Sequence, residues 1–574
     1  MLKGSELIYK KLLQNNVKDV FLYSGGAVMS LIDTFYQNKK INYYINSNEH
    51  NGCNSAIGYA KSSGQTGVMI TTSGPGLTNC VTSMLDSQND STPLVVLSGQ
   101  VPKQVMGTQA FQECPATEIT RPFTKWSHVV DNPNDLGYCL DKAFYIANNK
   151  KKGCVHLDIP KCVLSSDVTH EKHFLPEERN KKTKKLIGHQ ELDEIIQIIG
   201  KAERPIFFLG KGCNHYPALI RNLIRYLNIP CTTTLHGMGI IPEDNFLNLE
   251  MCGMHGSYVS NMALHHSDCI INLGARFDDR TTGNPEKYGE FAEHIIHINI
   301  EKSEINKNIK ASHSFECDVE DFVIQLMQHP NYTFITSKFA HRLEWFSHIK
   351  KWKVMQPFKY NKELKLATPD VLKCIDKFKF NSDIITFGVG NHLMMGCQYI
   401  TWKEPNKVIA SGSLGVMGCS IGYAIGSQIA NPHLRVISID GDGSFNMTLN
   451  DLQTIRRYNL PIKIAIINDG SLSMVKIWEK LFFEERYTAT DNPSNPDYVQ
   501  LAESYGIKGM MCDNKKDLPN KVRTFMDYDN GPILCEFRTQ GEECFPLVAP
   551  GKALNEMILY GETQNDFGKI DPPN

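Results

Sequence analysis

Residues 434–470 decide the fold, and they read LRVISIDGDGSFNMTLNDLQTIRRYNLPIKIAIINDG. Two apolar, β-branched runs, 434–439 and 461–467, end at clusters of Asp, Asn and Gly, which predicts two buried strands. The stretch between them predicts a crossover helix over 448–458, so the strands would be parallel neighbours. Their carboxyl ends would then open onto one crevice, where ligands bind in sheets of this kind.

Polar side chains at the two strand ends predict a site for Mg²⁺ and a diphosphate. Asp442 follows the first strand and Asp469 follows the second. Together with the backbone carbonyl of Ser471 and two phosphate oxygens, they would give Mg²⁺ the oxygen shell that it requires. Gly441 and Gly443 would let backbone N–H groups approach the phosphates. Gly-Asp-Gly alone is more often an ordinary turn, and the second strand end is what favours a metal site.

The 27-residue spacing from Asp442 to Asp469 resembles the thiamine-diphosphate (ThDP) motif, in which Gly-Asp-Gly is followed further along the chain by Asn-Asn. Asp469 stands where that family usually has its second, metal-binding Asn. Carboxylate oxygen suits Mg²⁺ as well as amide oxygen does, so we expect the site to persist with one more negative charge.

Length and composition limit the class of protein. A chain of 574 residues is too long for one core and typically divides into about three or four domains. With 60 Lys and Arg against 62 Asp and Glu, and no basic stripe, nucleic acid is not an expected partner. No apolar stretch approaches the roughly 20 residues that span a bilayer, so we expect no membrane segment.

The amino terminus and the cysteines predict a cytoplasmic protein. Residues 1–11 run directly into an amphipathic helix pattern, without a secretory or transit segment before it. The seventeen cysteines contain no Cys-x-x-Cys pair and mostly lie among apolar or small residues, so they are interpreted as reduced core residues.

Alternating strand-like and helical stretches predict an α/β protein made of three consecutive doubly wound parallel-sheet domains, at residues 1–165, 188–335 and 367–560. The strands that support this prediction are 20–23, 67–71 and 94–97 in the first domain, and 205–209, 268–273 and 294–300 in the second. The polar segments 165–187 and 336–366 are interpreted as connectors, and 566–574 as an exposed tail.

Glu49 is the candidate acid of the first domain. It follows a strand-like run, 41–45, and opens a small-residue helix, where a Glu is usually only a favourable charge at the positive end of the helix dipole. The segment 49–60, EHNGCNSAIGYA, nevertheless resembles the acetohydroxyacid synthase (acetolactate synthase) large subunit, as do TSGPGLTN at 72–79 and GQVP at 99–102. This resemblance extends almost end to end.

The resemblance implies a pyrimidine-binding first domain, a Rossmann-like central domain and a diphosphate-binding third domain that share ThDP. It implies that Glu49 protonates the pyrimidine ring nitrogen, so that the exocyclic amine becomes an imine able to deprotonate the thiazolium carbon. Met417 would be the apolar wedge that holds ThDP bent. The residues implied to contact ThDP are Gly25, Ser73, Gly76, Asn79, His392, Gly415, Met417, Gly441, Gly443 and Ser444. Asn391 and Leu393 beside His392 depart from the family pattern.

Other segments resemble the substrate site of the synthases. GTQAFQE at 107–113 implies that Phe111 and Gln112 line the active site, with Gln109 in place of Asp. LDIPK at 157–161 implies that Lys161 lies at the substrate channel, with Cys162 in place of Asp; a Pro-Lys pair after a strand is otherwise more often a solvated domain edge. MVKIW at 474–478 implies that Met474 and Trp478 shape the acceptor pocket, although residues four apart could equally form the buried side of an amphipathic helix.

LGARFDDR at 273–280 is the sharpest match. Arg276 corresponds to the arginine that meets the carboxylate of the second keto acid and lies beside FAD, and a guanidinium suits bidentate recognition of a carboxylate. An Arg after a strand is otherwise more often a surface ion-pair residue. FAD is expected mainly from the resemblance, because the loop at Gly210 lacks a complete Gly-x-Gly-x-x-Gly pattern. Asn299 stands where family members often carry Asp, which predicts weaker flavin binding. The implied FAD residues are Gly210, Gly212, Met254, His255, Gly274 and Arg276.

The resemblance implies a carboligase of branched-chain amino-acid biosynthesis, which decarboxylates pyruvate on ThDP and transfers the hydroxyethyl group to a second 2-keto acid, giving 2-acetolactate or 2-aceto-2-hydroxybutyrate. It implies active sites between subunits of a homodimer or homotetramer, and it leaves a regulatory subunit possible. Two alternatives stay open: a related pyruvate oxidase or 2-keto acid decarboxylase, and a ThDP-binding protein with little turnover. The departures at Gln109, Asn391, Leu393 and Asp469 favour the last.

Overall fold

The computed structural model describes residues 2–175, 186–337 and 339–562, and it contains three six-stranded sheets whose strands are all parallel. Helices cover the sheets, and the central strands, such as Gly67–Thr71, Pro205–Leu209 and Ile384–Phe387, are completely buried, whereas edge strands such as Asn42–Ile45 are partly exposed. The predicted α/β class with three parallel-sheet domains is confirmed.

The amino-terminal sheet has the strand order Asn42–Ile45, Asp19–Leu22, Gly67–Thr71, Leu94–Gln100, Cys154–Pro160 and Trp126–Val129. Its helices are Gly4–Gln14, Met29–Gln37, Glu49–Ser63, Pro75–Thr78, Val81–Asn89, Ala116–Thr120, Leu136–Asn148 and Lys161–Ser165. Part of the predicted first connector belongs to this domain, because Asp167–Val168 pairs antiparallel with Leu2–Lys3. Residues 176–185 of that connector lie outside the described residues.

The central sheet has the order Asn248–Met251, Cys231–Thr233, Pro205–Leu209, Cys269–Leu273, His294–Asn299 and His313–Glu316. Its helices are His189–Lys201, Pro217–Leu227, Tyr258–His266, Asp279–Thr282, Val319–Gln328, Phe334–Ser337 and Leu343–Met355. The last of these lies in the predicted second connector and packs on the central sheet, since the Trp345 indole donates to the Pro205 carbonyl (3.2 Å).

The carboxyl-terminal sheet has the order Val408–Ile409, Ile384–Phe387, Val436–Gly441, Lys463–Asn468, Ile533–Arg538 and Lys508–Cys512. Its helices are Thr368–Phe378, Asn391–Tyr399, Cys419–Ala430, Asp442–Asn446, Leu452–Arg457, Ser473–Phe482, Tyr498–Ser504 and Leu518–Asp527. A hairpin of Leu547–Val548 and Met557–Ile558 returns to the core of the central domain. The predicted tail, 566–574, lies outside the described residues.

The first and third domains meet through two helices, Glu49–Ser63 and Cys419–Ala430. Their backbones approach closely because glycine occupies the contact: a Cβ on Gly58 would lie 2.3 Å from the Tyr423 carbonyl oxygen, and one on Gly426 would lie 1.8 Å from the Ser55 carbonyl oxygen. This contact fixes the third domain against the middle of the helix that Glu49 begins.

The cysteines and the helix lengths can be compared with what the composition predicts. All seventeen cysteines lie within the described residues, and fifteen of them are buried, which agrees with their interpretation as core residues. Among the described helices, none combines the length and the apolar character needed to span a bilayer.

Candidate active site

A cavity of about 1560 Å³ lies where the three domains meet. The predicted residues that line it are, by role, Asp442, Asp469 and Ser471 for metal; His392, Gly415, Met417, Gly441, Gly443 and Ser444 for the coenzyme; Gly212, Met254, His255, Gly274 and Arg276 for flavin; and Met474 for substrate. Residues from the second and third domains, far apart in sequence, therefore face one space.

The predicted metal site lies at the carboxyl ends of two neighbouring parallel strands. Val436–Gly441 pairs with Lys463–Asn468, with Gly441 opposite Ile467, so Asp442 and Asp469 each stand just beyond a strand end. Asp442, Asp469 and Ser471 all line the cavity. The donor set consists of hard oxygens, which fits Mg²⁺.

Burial raises the pKa values of both carboxyl groups, and a bound cation would oppose this rise. Burial raises the pKa of Asp469 to about 6; the Ser473 hydroxyl, which donates to it, opposes this rise, and the Asp442 charge adds to it. Burial also raises the pKa of Asp442. A bound divalent cation would relieve both effects by compensating the two negative charges.

Sequence reasoning missed two asparagines that hold Asp442. The Asn495 amide donates to its Oδ2 at 2.6 Å and the Asn492 amide donates at 3.2 Å. Both come from the loop that follows helix Ser473–Phe482, about 50 residues along the chain from Asp442. The only signal in the sequence is the polar, proline-containing run DNPSNP at 491–496, which resembles an ordinary loop.

His392 and its neighbours provide unsatisfied polar atoms in the coenzyme part of the cavity. Burial lowers the pKa of His392 to about 4, so the ring is neutral, and burial raises the pKa of the adjacent Asp440 to about 7. The two groups, 3.5 Å apart, are therefore not a strong ion pair. His392 Nε2 and Asn391 Oδ1 are buried and have no hydrogen-bond partner among the described residues. Such atoms favour a polar ligand.

The loop before Met417 is shaped by a glycine. Gly415 has φ +75°, a conformation that favours glycine, and a Cβ there would meet nothing closer than 3.9 Å. The loop therefore presents open backbone to the cavity. The Ser444 hydroxyl accepts the Gly418 N–H at 2.8 Å, which ties this loop to the predicted diphosphate residues.

Arg276 joins all three domains. Its guanidinium donates to the Asn89 carbonyl at 2.9 Å and to the Ser413 hydroxyl at 2.6 Å, and only 29% of its side chain is exposed. Its nearest carboxylate, Asp278, is 3.9 Å away. Arg276 is thus a partly buried cavity residue whose hydrogen bonds go to neutral groups and which also forms a long ion pair with Asp278, and its role toward the substrate stays a prediction.

Of the residues predicted to contact flavin, all but Gly210 line the cavity. His255 is buried and lines the cavity, with Nε2 lacking a partner among the described residues, while Nδ1 lies 3.2 Å from the Pro546 carbonyl. Gly210 does not line the cavity. A Cβ on Gly210 would lie 2.3 Å from the Ala275 Cα, so this glycine serves close packing of two strand ends. Its contact with flavin stays a prediction.

Glu49 does not line the cavity that contains Asp442. It is the first residue of helix Glu49–Ser63, is 9% exposed, and accepts a hydrogen bond from the Asn79 amide at 2.9 Å. Gly76 lies beside it, since a Cβ there would be 3.6 Å from the Glu49 carboxyl. Predicted residues that do not line the cavity are Glu49, Gly25, Ser73, Gly76, Asn79, Phe111, Gln112, Lys161 and Trp478. Among the described residues, Glu49 and its neighbours are therefore not part of the lining of the cavity that contains Asp442.

Some of the predicted residues outside the cavity are exposed to solvent. The Phe111 side chain is 89% exposed, and Lys161 is exposed at the start of helix Lys161–Ser165. Trp478 is half-buried and stacks edge-to-face on Phe482, with ring centroids 5.7 Å apart, while its neighbour Ile477 is the buried residue of that helix. Trp478 is therefore partly buried on its helix, which is compatible with both interpretations, and its role in the acceptor pocket stays a prediction.

Comparison with known proteins identifies the family. Residues 2–119, 192–326 and 388–537 match the N-terminal TPP binding domain, the central domain and the C-terminal TPP binding domain of thiamine pyrophosphate enzymes. The chain is 36% identical to the mitochondrial acetolactate synthase catalytic subunit of Saccharomyces cerevisiae, over 97% of this chain and 84% of the yeast protein. The chain belongs to the acetolactate synthase family.

Relatives from bacteria and plants support the same family assignment. The acetolactate synthase large subunit of Lactococcus lactis is 34% identical over 98% of this chain and 97% of its own length, and the chloroplastic acetolactate synthase 1 of Zea mays is 34% identical over 98% and 89%. The predicted resemblance to the acetolactate synthase large subunit is confirmed, and with it a ThDP-dependent enzyme of the carboligase type.

Proposed function

We propose that this acetolactate synthase homologue decarboxylates pyruvate and joins the remaining two-carbon unit to a second 2-keto acid, with pyruvate giving 2-acetolactate and 2-ketobutyrate giving 2-aceto-2-hydroxybutyrate. The observation that carries the proposal is Arg276, whose guanidinium faces the same cavity as the Asp442 and Asp469 edge. A fixed guanidinium in that position can bind the carboxylate of an acceptor next to the coenzyme.

The coenzyme's diphosphate end would be held by the third domain. Bound ThDP supplies a nucleophilic thiazolium carbon and accepts the electrons left by decarboxylation. Asp442, Asp469 and the Ser471 carbonyl would hold Mg²⁺, and the backbone N–H groups near Gly441 and Gly443 would face the phosphates. Met417 would support the ring system from the cavity wall. The hard-oxygen donor set and the buried Asn391 Oδ1, which has no hydrogen-bond partner among the described residues, support this assignment.

Glu49 would exchange a proton with the pyrimidine ring nitrogen of the coenzyme. Its carboxyl is nearly buried and is oriented by the Asn79 amide, which leaves one carboxyl oxygen for the ring. Because Glu49 lies outside the cavity that Asp442 lines, the complete site requires a second chain. We assign a homodimer as the smallest active unit, with a homotetramer as a pair of such dimers. Phe111, Gln112 and Lys161 would come from the same chain as Glu49.

FAD would occupy the central-domain part of the cavity as a structural cofactor. Gly212, Gly274, Met254, His255 and Arg276 line that part, and a volume of about 1560 Å³ accommodates both cofactors. The unpaired His255 Nε2 supports a polar ligand there. A visible absorption spectrum of the purified protein tests this assignment: bound oxidised flavin is expected, and a colourless protein that takes up no added FAD would contradict it.

The subunit names of the relatives suggest a further partner. The yeast relative is named a catalytic subunit and the Lactococcus relative a large subunit, so we propose that this chain can associate with a smaller regulatory chain. Its cytoplasmic location remains the prediction made from the sequence, and the burial of most cysteines agrees with any reducing compartment. Cell fractionation with compartment markers tests the location.

The direct test is product formation from pyruvate by protein loaded with Mg²⁺ and ThDP. Acetolactate is expected, and Glu49→Gln is expected to reduce its formation by about 100-fold or more, since proton transfer by a positioned group contributes about that much. Glu344→Gln, an exposed helix position, is the matched control. Acetaldehyde or peroxide as the main product would favour the decarboxylase or oxidase alternative. ThDP binding without any product would favour the binding-protein alternative.

A further inference from the structure

Two buried carboxylates on the amino-terminal domain have no role in the site described above. Asp86 lies in helix Val81–Asn89, and Asp90, four residues after Asp86, is the C-cap of the same helix. Their side chains are fully buried. A buried carboxylate is unfavourable unless charges and hydrogen bonds compensate it, so the groups that face these two carboxylates show what they hold in place.

Asp90 holds the loop that anchors Arg276. Its Oδ1 accepts the Ser413 backbone N–H at 2.9 Å, and its Oδ2 accepts the Gly412 backbone N–H at 3.1 Å. The Ser413 hydroxyl in turn accepts the Arg276 guanidinium at 2.6 Å. A continuous hydrogen-bonded path therefore leads from a buried carboxylate of the first domain to the proposed substrate-binding guanidinium.

Asp86 holds a different part of the same loop. The Ser411 hydroxyl donates to Asp86 and accepts the backbone N–H groups of Gly415 at 3.1 Å and Val416 at 3.0 Å. The Tyr423 hydroxyl also donates to Asp86. This path ends at the residue before Met417, the proposed support of the coenzyme.

Lys61 compensates both carboxylates. Its Nζ lies 2.7 Å from Asp90 and 3.7 Å from Asp86, and it also donates to the Ala410 carbonyl at 2.7 Å, just before the loop. Lys61 lies in the last turn of the helix that Glu49 begins. The ammonium therefore links the Glu49 helix, both carboxylates and the start of the loop.

We propose that Asp86 and Asp90 are positioning residues with separable effects: Asp86, through Ser411, shapes the coenzyme-binding loop, and Asp90, through Ser413, orients Arg276 toward the acceptor carboxylate. The inference rests on the proposed function, because it assigns Arg276 to the acceptor and Met417 to the coenzyme. The loop 411–416 is held by hydrogen bonds to neighbouring carboxylates, which is why one contact can be removed without the other.

The experiment compares Ser413→Ala with Ser411→Ala in the full-length holoenzyme, with Ser504→Ala, an exposed helix end, as the matched control. Ser413→Ala is expected to raise the KM for 2-ketobutyrate at fixed pyruvate about tenfold, the effect of one hydrogen bond to a charged group. It should leave the Kd for ThDP unchanged. Ser411→Ala is expected to raise the Kd for ThDP, measured by protein fluorescence in Mg²⁺, about tenfold. Ser413→Thr retains the hydroxyl and should restore the KM.

Several outcomes would overturn the inference. Equal shifts of both constants in both serine variants would mean a general loosening of the domain contact, and no shift in either would mean that the loop is held by other groups. Asp90→Asn should reproduce the KM effect; if it does not fold, the serine variants still decide. A wild-type protein without acetolactate formation refutes the proposed function. An active wild type with unaltered Ser413→Ala and Ser411→Ala constants refutes only this inference.

Discussion

Replacing Arg276 by Lys tests the acceptor site most sharply. Lys keeps the positive charge but loses the planar fork, so it can satisfy one partner at a time. Arg276 uses two of its donors within the protein, to the Asn89 carbonyl (2.9 Å) and the Ser413 hydroxyl (2.6 Å). A lysine ammonium would satisfy these acceptors or the substrate carboxylate, but not both in a fixed geometry.

The magnitude follows from one lost hydrogen bond to a charged group. Such a bond contributes about 1.5 to 3 kcal/mol, which is about 10- to 100-fold in kcat/KM for the acceptor. We expect Arg276→Lys to lower kcat/KM for 2-ketobutyrate within this range. The rate of pyruvate decarboxylation should fall less, because the first pyruvate, which is decarboxylated, does not depend on the guanidinium. Acetaldehyde should therefore rise as a fraction of product.

The assay follows pyruvate consumption, acetaldehyde and both acetohydroxy acids in the same reaction. Arg225→Lys is the matched control, since Arg225 is an exposed arginine of the central domain that contacts Asn222 on its own helix. The reasoning is refuted if Arg276→Lys retains the wild-type product ratio and kcat/KM, or if it changes no more than Arg225→Lys does.

Three further predictions concern the metal site, a buried lysine and the domain contact. Asp469→Asn removes a carboxylate that repels Asp442, so the melting temperature without metal should rise while calorimetry shows weaker Mg²⁺ binding. Burial lowers the pKa of Lys463 to about 8 from 10.5, so the charged form destabilises the fold fully below pH 8 and not at all above pH 10.5. Lys463→Met should therefore gain about 1 to 3 kcal/mol at pH 7, with the gain shrinking between pH 8 and 10.5 in chemical denaturation; a pH-independent gain would contradict this. Gly426→Ala, whose Cβ would lie 1.8 Å from the Ser55 carbonyl oxygen, should cost about 1 to 3 kcal/mol in thermal unfolding, and an unchanged melting temperature would show that the helices can separate freely.

The amino-acid sequence by itself determined the sheets and the strand-end chemistry. The runs predicted at 434–439 and 461–467 appear as Val436–Gly441 and Lys463–Asn468, and the runs predicted at 67–71 and 205–209 appear with those bounds. β-Branched apolar runs bounded by Gly, Asp and Asn are local signals, because strand formation and chain reversal depend on neighbouring residues. Asp442 and Asp469 could be predicted together for this reason.

The groups that orient the site were decided by tertiary structure. Asn492 and Asn495 hold Asp442 from about 50 residues away, and Asp90 reaches Ser413 across 323 residues. No periodicity or spacing in the chain reports such contacts, since they depend on how separate domains pack.

The same reason explains Gly210 and Glu49. A glycine after a strand predicts either a ligand loop or close packing, and only the position of the Ala275 backbone shows that Gly210 serves packing. Local sequence identifies Glu49 as an acid at the start of a helix, but which cavity it faces depends on domain and subunit packing. Local residue chemistry therefore determined which functional groups are available. Long-range packing decided which of them come into contact, because the free energy of a contact between two distant segments depends on both segments together.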